Sequence, residues 1–216
     1  MGYFLLRTIC IAIVRLLLAL HGGSRVEGSA HVPRTGGVLL CPNHISDFDP
    51  PTVGALVPRI VWFMAKSELF SMRFLSWLLP RVRAFPIKRD SADRTALSKA
   101  EELLKAGEAV IIFPEGGGNA EGTLQPLHPG ALLVALRAKV PVVPVALINT
   151  NKVLPYGAIK LQRSPRPVTV IFGEPLDFSD LYGKKGAVEE ATRRLTERLA
   201  QMLDQPIPEG KPQKHD

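Results

Sequence analysis

Short apolar runs recur along the chain at residues 38–41, 60–65, 84–87, 109–113, 140–148 and 168–172. Runs of this length, bounded by polar or turn-forming residues, predict strands buried on both faces. The stretches 92–105, 130–138 and 188–203 instead carry apolar positions at helical spacing. In the last of these, Val188, Ala191, Leu195, Leu199, Met202 and Leu203 form one core-facing stripe. Residues 21–37 read as a Gly- and Pro-rich linker with a short strand near 25–27. Pro50 opens a helix over 50–57, with Asp49 as its N-cap. Strands alternating with helices predict an α/β class. The expectation is a single domain with a mixed, largely parallel sheet flanked by helices, without internal repeats.

Two stretches are too greasy for that scheme. Residues 3–20 are apolar except for Arg7, Thr8 and Arg15. Two arginines near mid-bilayer would cost roughly 2.5–3.5 kcal/mol each, which argues against a spanning helix. On a helix they stand about 80° apart, one polar quadrant on an apolar cylinder. This predicts a helix lying in the membrane interface with its arginines reaching lipid phosphates. A helix packed on the domain is the alternative, and a signal peptide fits less well because Arg15 interrupts the apolar core. Residues 69–79 are apolar nearly all round, which predicts a helix that is buried or in lipid. The domain division that follows is an N-terminal membrane-associating segment at 1–24, a catalytic domain at 25–204, and a disordered tail at 205–216.

Charge narrows the partners. The formal net charge is +7 and the pI about 9.6, so anionic partners are expected. Aromatic residues are 6% of the chain and no nucleic-acid module is visible, so with the apolar N-terminus the choice tips toward lipid or an acidic carrier and no nucleic-acid partner is expected. Cys10 and Cys41 have no metal-knuckle or disulfide spacing and fit a reducing compartment.

The chemistry sits where the first long apolar run stops. Leu39-Leu40-Cys41-Pro42-Asn43-His44 delivers an imidazole, and Asp49 follows five residues later. In α/β proteins the loop after a buried strand is where chemistry is placed. A carboxylate accepting the Nδ1 proton fixes the imidazole tautomer, and Nε2 can then take a proton from an attacking hydroxyl. Asp47 is expected to be a solvated or capping residue. Cys41 is expected to be a small buried residue rather than a nucleophile. The spacing of His44, Asp47, Asp49 and Glu115 lacks a metal signature, and no metal is expected. His128 suggests no chemical role and is expected at the surface.

These residues carry a resemblance. Asn43-His44 through Asp49, Phe85-Pro86-Ile87-Lys88-Arg89, Phe113-Pro114-Glu115-Gly116 and Val140-Pro141-Val142-Val143-Pro144-Val145 resemble, in order, four blocks of the glycerolipid acyltransferases, the lysophosphatidic acid acyltransferases and their relatives. The similarity covers roughly residues 25 to 180. It implies an O-acyltransferase that moves a fatty acyl group from acyl-CoA or acyl carrier protein to a lysophospholipid hydroxyl. The implied acceptor is 1-acylglycerol 3-phosphate or a related acceptor.

The resemblance also implies site roles. His44 and Asp49 would be catalytic, and Lys88, Arg89, Glu115, Gly116 and Gly117 would bind substrate. Glu115 would accept from acceptor hydroxyls, or alternatively pair with Arg89. No cofactor beyond the thioester co-substrate is implied, and the location would be peripheral or monotopic on the cytoplasmic face of a membrane.

Two departures stand out. Gly117 and Gly118 replace the Thr-Arg with which the family continues its third block, and Arg83 stands where the second block often has glycine. An anionic head group would then rest on Lys88, Arg89 and backbone N–H groups of residues 116–118. Alternatively, the glycines only permit a tight turn. A membrane-associated esterase or thioesterase and a non-catalytic basic binding protein are the other function classes considered.

Overall fold

The structure is a computed structural model and describes residues 2–87 and 93–212. Its centre is a seven-stranded sheet. The strands are β1 (Ser24–Glu27), β2 (Val38–Pro42), β3 (Val61–Lys66), β4 (Ala84–Ile87), β5 (Ala109–Ile111), β6 (Val142–Ile148) and β7 (Val168–Phe172), in the order β1-β7-β6-β2-β5-β3-β4. Every neighbouring pair is parallel except β6 and β7, where Val145 lies opposite Phe172 and Ile148 opposite Thr169. The expected mixed, largely parallel sheet in one α/β domain is therefore present. Central strands β2 and β6 read as unbroken apolar runs because helices cover both faces.

The helices are α1 (Gly2–Leu20), α2 (Asp49–Leu56), α3 (Arg73–Arg81), α4 (Arg94–Lys105), α5 (Gly130–Ala138), α6 (Thr150–Val153) and α7 (Ala187–Leu203). One core layer packs α4, α5 and α7 on the sheet through Leu103, Leu104, Leu132, Leu195 and Leu199. The opposite layer lies under α2 through Val53, Val57, Leu147 and Phe172. Full burial of each such side chain contributes about 1.5–3 kcal/mol. Asp93 caps α4, accepting from Thr95 and Ala96 N–H.

The greasy stretches behave differently from one another. Leu18 of α1 is buried against Phe48, Val153 and Val168, while Leu5, Ile9, Ile13, Leu16 and Leu20 form an exposed stripe on the same helix. Arg15 does not stand clear of the protein as expected: its Nε donates to Ala55 O in the last turn of α2, at 3.1 Å. An orphan carbonyl at a helix C-terminus attracts a cation. The helix expected over 69–79 is divided into a 3₁₀ turn, Ser67–Ser71, and α3. None of its residues is buried, and Met72, Phe74 and Trp77 are exposed. No helix among the described residues is long and apolar enough to cross a membrane. At the other end, Gln205 follows the α7 C-cap and stays bonded to the domain, its amide oxygen accepting from Leu124 N–H at 2.7 Å and its Nε2 donating to Gly122 O at 3.2 Å.

Candidate active site

The site forms at the C-terminal ends of the adjacent parallel strands β2 and β5. Asn43 fixes the exit from β2 as an amide bridge to β6, its Nδ2 donating to Leu147 O and its Oδ1 accepting from Leu147 N–H, at 3.1 and 2.7 Å. The next residue, His44, is turned into the loop and is 5% exposed.

His44 and Asp49 meet. Nδ1 of His44 and Oδ2 of Asp49 are 2.9 Å apart. The same Oδ2 accepts from Ile45 N–H at 2.7 Å and Ser46 N–H at 2.8 Å. Asp49 thus closes its own loop and is fully buried. The expected N-cap role moves by one residue: Phe48 is the N-cap, and Asp49 is the first residue of α2. Its charge still lies at the positive end of the helix. With a carboxylate on Nδ1, the imidazole carries its proton there and presents Nε2 as the acceptor. Among the described residues Nε2 has no hydrogen-bond partner. Phe113 packs on the ring with centroids 4.4 Å apart, and Tyr156 meets it edge-on at 6.3 Å.

Glu115, from the loop after β5, also reaches His44. Its Oε1 accepts from His44 N–H at 2.8 Å, and its Oε2 accepts from Asn119 Nδ2 and Gln125 N–H, each at 3.3 Å. It is 1% exposed. Both oxygens are therefore engaged inside the protein, where they brace the His44 backbone. Burial pushes its carboxyl up to about 8, against the N–H donors from His44, Gln125 and Asn119, which favour the anion.

The glycine-rich turn is tight. Gly116 has φ +77, and a Cβ there would stand 2.8 Å from His128 Cδ2. Its N–H donates to Phe113 O, so it is taken up within the turn. Gly117 is buried beside it. Asn119, which motif reasoning passed over, ties the turn together. Its N–H and Nδ2 both donate to His44 O, Nδ2 also reaches Thr123 O, and Oδ1 accepts from Gly122 N–H. An Asn following three glycines, four residues after the acid, was the available signal.

Asp47 is exposed and accepts from Gly157 N–H at 2.8 Å. Cys41 is fully buried in the core, and burial drives its thiol far above the ordinary range, which leaves it protonated and inert. His128 is half-buried rather than at the surface, its N–H on Pro114 O. Among the described residues no cluster of three His, Cys, Asp or Glu could hold a metal. Lys88 and Arg89 lie outside the described residues. Arg83 has φ +64, the left-handed conformation in which glycine is unstrained. Its side chain pairs with Glu108 at 2.9 Å and lies over the Trp62 ring.

An imidazole oriented by a buried carboxylate at the end of a central strand is the arrangement of a general base, and comparison with known proteins places it in a family. The family model described as Acyltransferase matches residues 23–148, and the chain belongs to that acyltransferase family. A 1-acyl-sn-glycerol-3-phosphate acyltransferase of Bacillus subtilis (strain 168) is 31% identical over 205 residues, covering 91% of this chain and 98% of the relative. A lyso-ornithine lipid O-acyltransferase of Pseudomonas aeruginosa is 35% identical over 136 residues, covering 62% of this chain and 51% of the relative. The crystal structure of the 1-acyl-sn-glycerophosphate (LPA) acyltransferase PlsC from Thermotoga maritima superposes with a TM-score of 0.73 at 24% identity, over 92% of this chain and 80% of that one, and shares the fold.

Proposed function

We propose that the protein transfers a fatty acyl group from an acyl thioester to the free hydroxyl of a lysophospholipid, with 1-acylglycerol 3-phosphate as the acceptor. The observation that carries this reading is the 2.9 Å contact of His44 Nδ1 with buried Asp49, with Nε2 free of any partner among the described residues. Nε2 takes the acceptor's hydroxyl proton as that oxygen attacks the thioester carbonyl. The imidazolium is stabilised by Asp49. The C–S bond then breaks, and the leaving thiolate takes the proton back from His44. The products are an ester and a free thiol, with no acyl-enzyme between them.

Acceptor recognition is assigned to Arg89 and Lys88, with the turn at Gly116 and Gly117 shaping the site. Arg89→Ala raises the KM for a phosphate-bearing acceptor and leaves kcat nearly unchanged. The donor is acyl-CoA or acyl carrier protein, and assays with both thioesters separate them. The protein works at the cytoplasmic face of a membrane as a peripheral protein. The exposed stripe of α1 and the exposed Phe74 and Trp77 of α3 support this placement.

A second acceptor class has a specific observation in its favour. Position 118 is glycine where the family blocks carry arginine, which removes one cation from the head-group site, and one relative is named for a lyso-ornithine lipid. Mass spectrometry of products from a panel of lyso-lipids tests the reading. Thioester consumption that requires a lyso-lipid supports transfer. Equal consumption without any acceptor overturns it in favour of a thioesterase.

A further inference from the structure

The connection between β6 and β7 has no role in the chemistry above, yet its position and composition are unusual. Strand β6 runs parallel to β2, and β7 runs antiparallel to β6. The connection therefore leaves and re-enters the sheet at the end where His44 emerges. It is fixed at both sides of its exposed portion. Tyr156 meets the His44 ring, and Gly157 N–H donates to Asp47 at 2.8 Å. Further on, Ser164 N–H donates to His21 O and Val168 N–H to Gly23 O. Leu161 packs under α1 with Val14, Leu17 and Leu18.

Between these anchors Ile159 is fully exposed, at 101%. An unburied isoleucine on a loop held this firmly needs an explanation other than slack. Lys160, Arg163 and Arg166 surround it in sequence and are exposed. None of the three makes an ion pair or a side-chain hydrogen bond to a described residue. The chain has no acidic residue between Glu121 and Glu174. Asp47, the carboxylate that touches this loop, is engaged by Gly157 N–H. The loop thus presents one apolar wedge ringed by unpaired cations, next to the site and against the helix that carries the exposed stripe of α1.

We infer that residues 157–166 form a second membrane contact, in which Ile159 enters the interface of an anionic bilayer while Lys160, Arg163 and Arg166 lie on lipid phosphates. The occupant is lipid rather than an acidic protein, because the loop adjoins the end of the exposed stripe of α1: Ser164 N–H donates to His21 O, one residue past exposed Leu20. Apolar burial and cation attraction add in such contacts. Two adjoining contacts restrict how the domain tilts on the membrane, so that the His44 loop is held at the bilayer holding the acceptor. This inference rests on the peripheral placement proposed above.

The test is co-sedimentation of the full chain with phosphatidylcholine vesicles, with and without phosphatidylglycerol. Ile159→Ser lowers partition onto anionic vesicles about tenfold, the value of one buried aliphatic side chain. The triple change Lys160→Gln, Arg163→Gln, Arg166→Gln abolishes the preference for anionic over neutral vesicles. Both variants keep the parent kcat on a lyso-acceptor supplied below its micelle concentration, which shows that they fold. Parent and variants sedimenting alike would overturn the loop contact while leaving the α1 placement standing. A parent that sediments with neither vesicle would overturn both. Loss of binding to an acidic carrier protein in the triple variant, with vesicle partition unchanged, would overturn the lipid assignment.

Discussion

Gly118 and Tyr156 occupy each other's space: a Cβ built on Gly118 would stand 2.3 Å from Cε2 of Tyr156 and 2.4 Å from Cδ2. The ring that fills this space is the one that meets His44 edge-on at 6.3 Å. Restoring a long side chain at 118 therefore displaces an aromatic wall of the site before it adds any charge. Gly118→Arg destabilises the fold by about 1–3 kcal/mol, as overpacking does. Pairing it with Tyr156→Gly recovers most of that loss in a denaturant titration. Additive losses in the double variant would show that the two positions are independent.

Asn119 should behave as a positioning residue. It holds His44 O, Glu115 Oε2 and Thr123 O through one amide. Asn119→Ala leaves the buried Glu115 brace with one donor fewer, a loss of about 1–3 kcal/mol. The expected kinetic signature is a lower kcat with nearly unchanged KM, read in steady-state transfer assays at saturating thioester.

Glu115 gives the fold a pH signature of definite sign. Its carboxyl titrates near 8 in the folded chain against an ordinary value of 4.5, chiefly because it is buried. Between those values the native state holds a proton that the unfolded state has released. This group's contribution to stability is therefore fully present below about 4.5 and declines as pH rises through 8. The steepest slope is about 1.4 kcal/mol per pH unit. Glu115→Gln removes that slope, and urea midpoints measured at several pH values read the difference. The same variant turns an amide N–H₂ toward either the His44 N–H or the donors from Asn119 and Gln125, so kcat falls as well.

Asp49→Asn keeps an oxygen for the Ile45 and Ser46 N–H groups and removes the charge that stabilises imidazolium. Comparable changes in His–carboxylate sites lower kcat by roughly three to four orders of magnitude. Near-native thermal stability with that loss is the expected result, checked by calorimetry beside the transfer assay.

Much of this was legible in the chain before its structure. The run Leu39 to Asn43 and the acid at Asp49 were enough to bring an imidazole and a carboxylate together, because strand, loop and helix start follow from local pattern alone. The parallel core followed from unbroken apolar runs. The direction of the Glu115 side chain was not legible, since a motif records a residue type and says nothing of which way it turns. Its partners, Asn119 and Gln125, lie in a loop without periodicity. The left-handed conformation of Arg83 had one signal, the glycine that the second block often carries there; its ion pair with Glu108 and its stacking on Trp62 become visible once β3 and β4 are paired. The surroundings of the 69–79 stretch were not legible, because an apolar composition looks alike whether it meets a core or a bilayer. In the structure Met72, Phe74 and Trp77 are exposed rather than packed in the core.

The most direct measurement is single-turnover acyl transfer by His44→Ala, using a lysophospholipid acceptor and a labelled thioester, with circular dichroism on the same preparation. A folded variant whose transfer rate has fallen by at least three orders of magnitude is the predicted result. A folded variant that still acylates the acceptor near the parent rate would mean that another group deprotonates the hydroxyl.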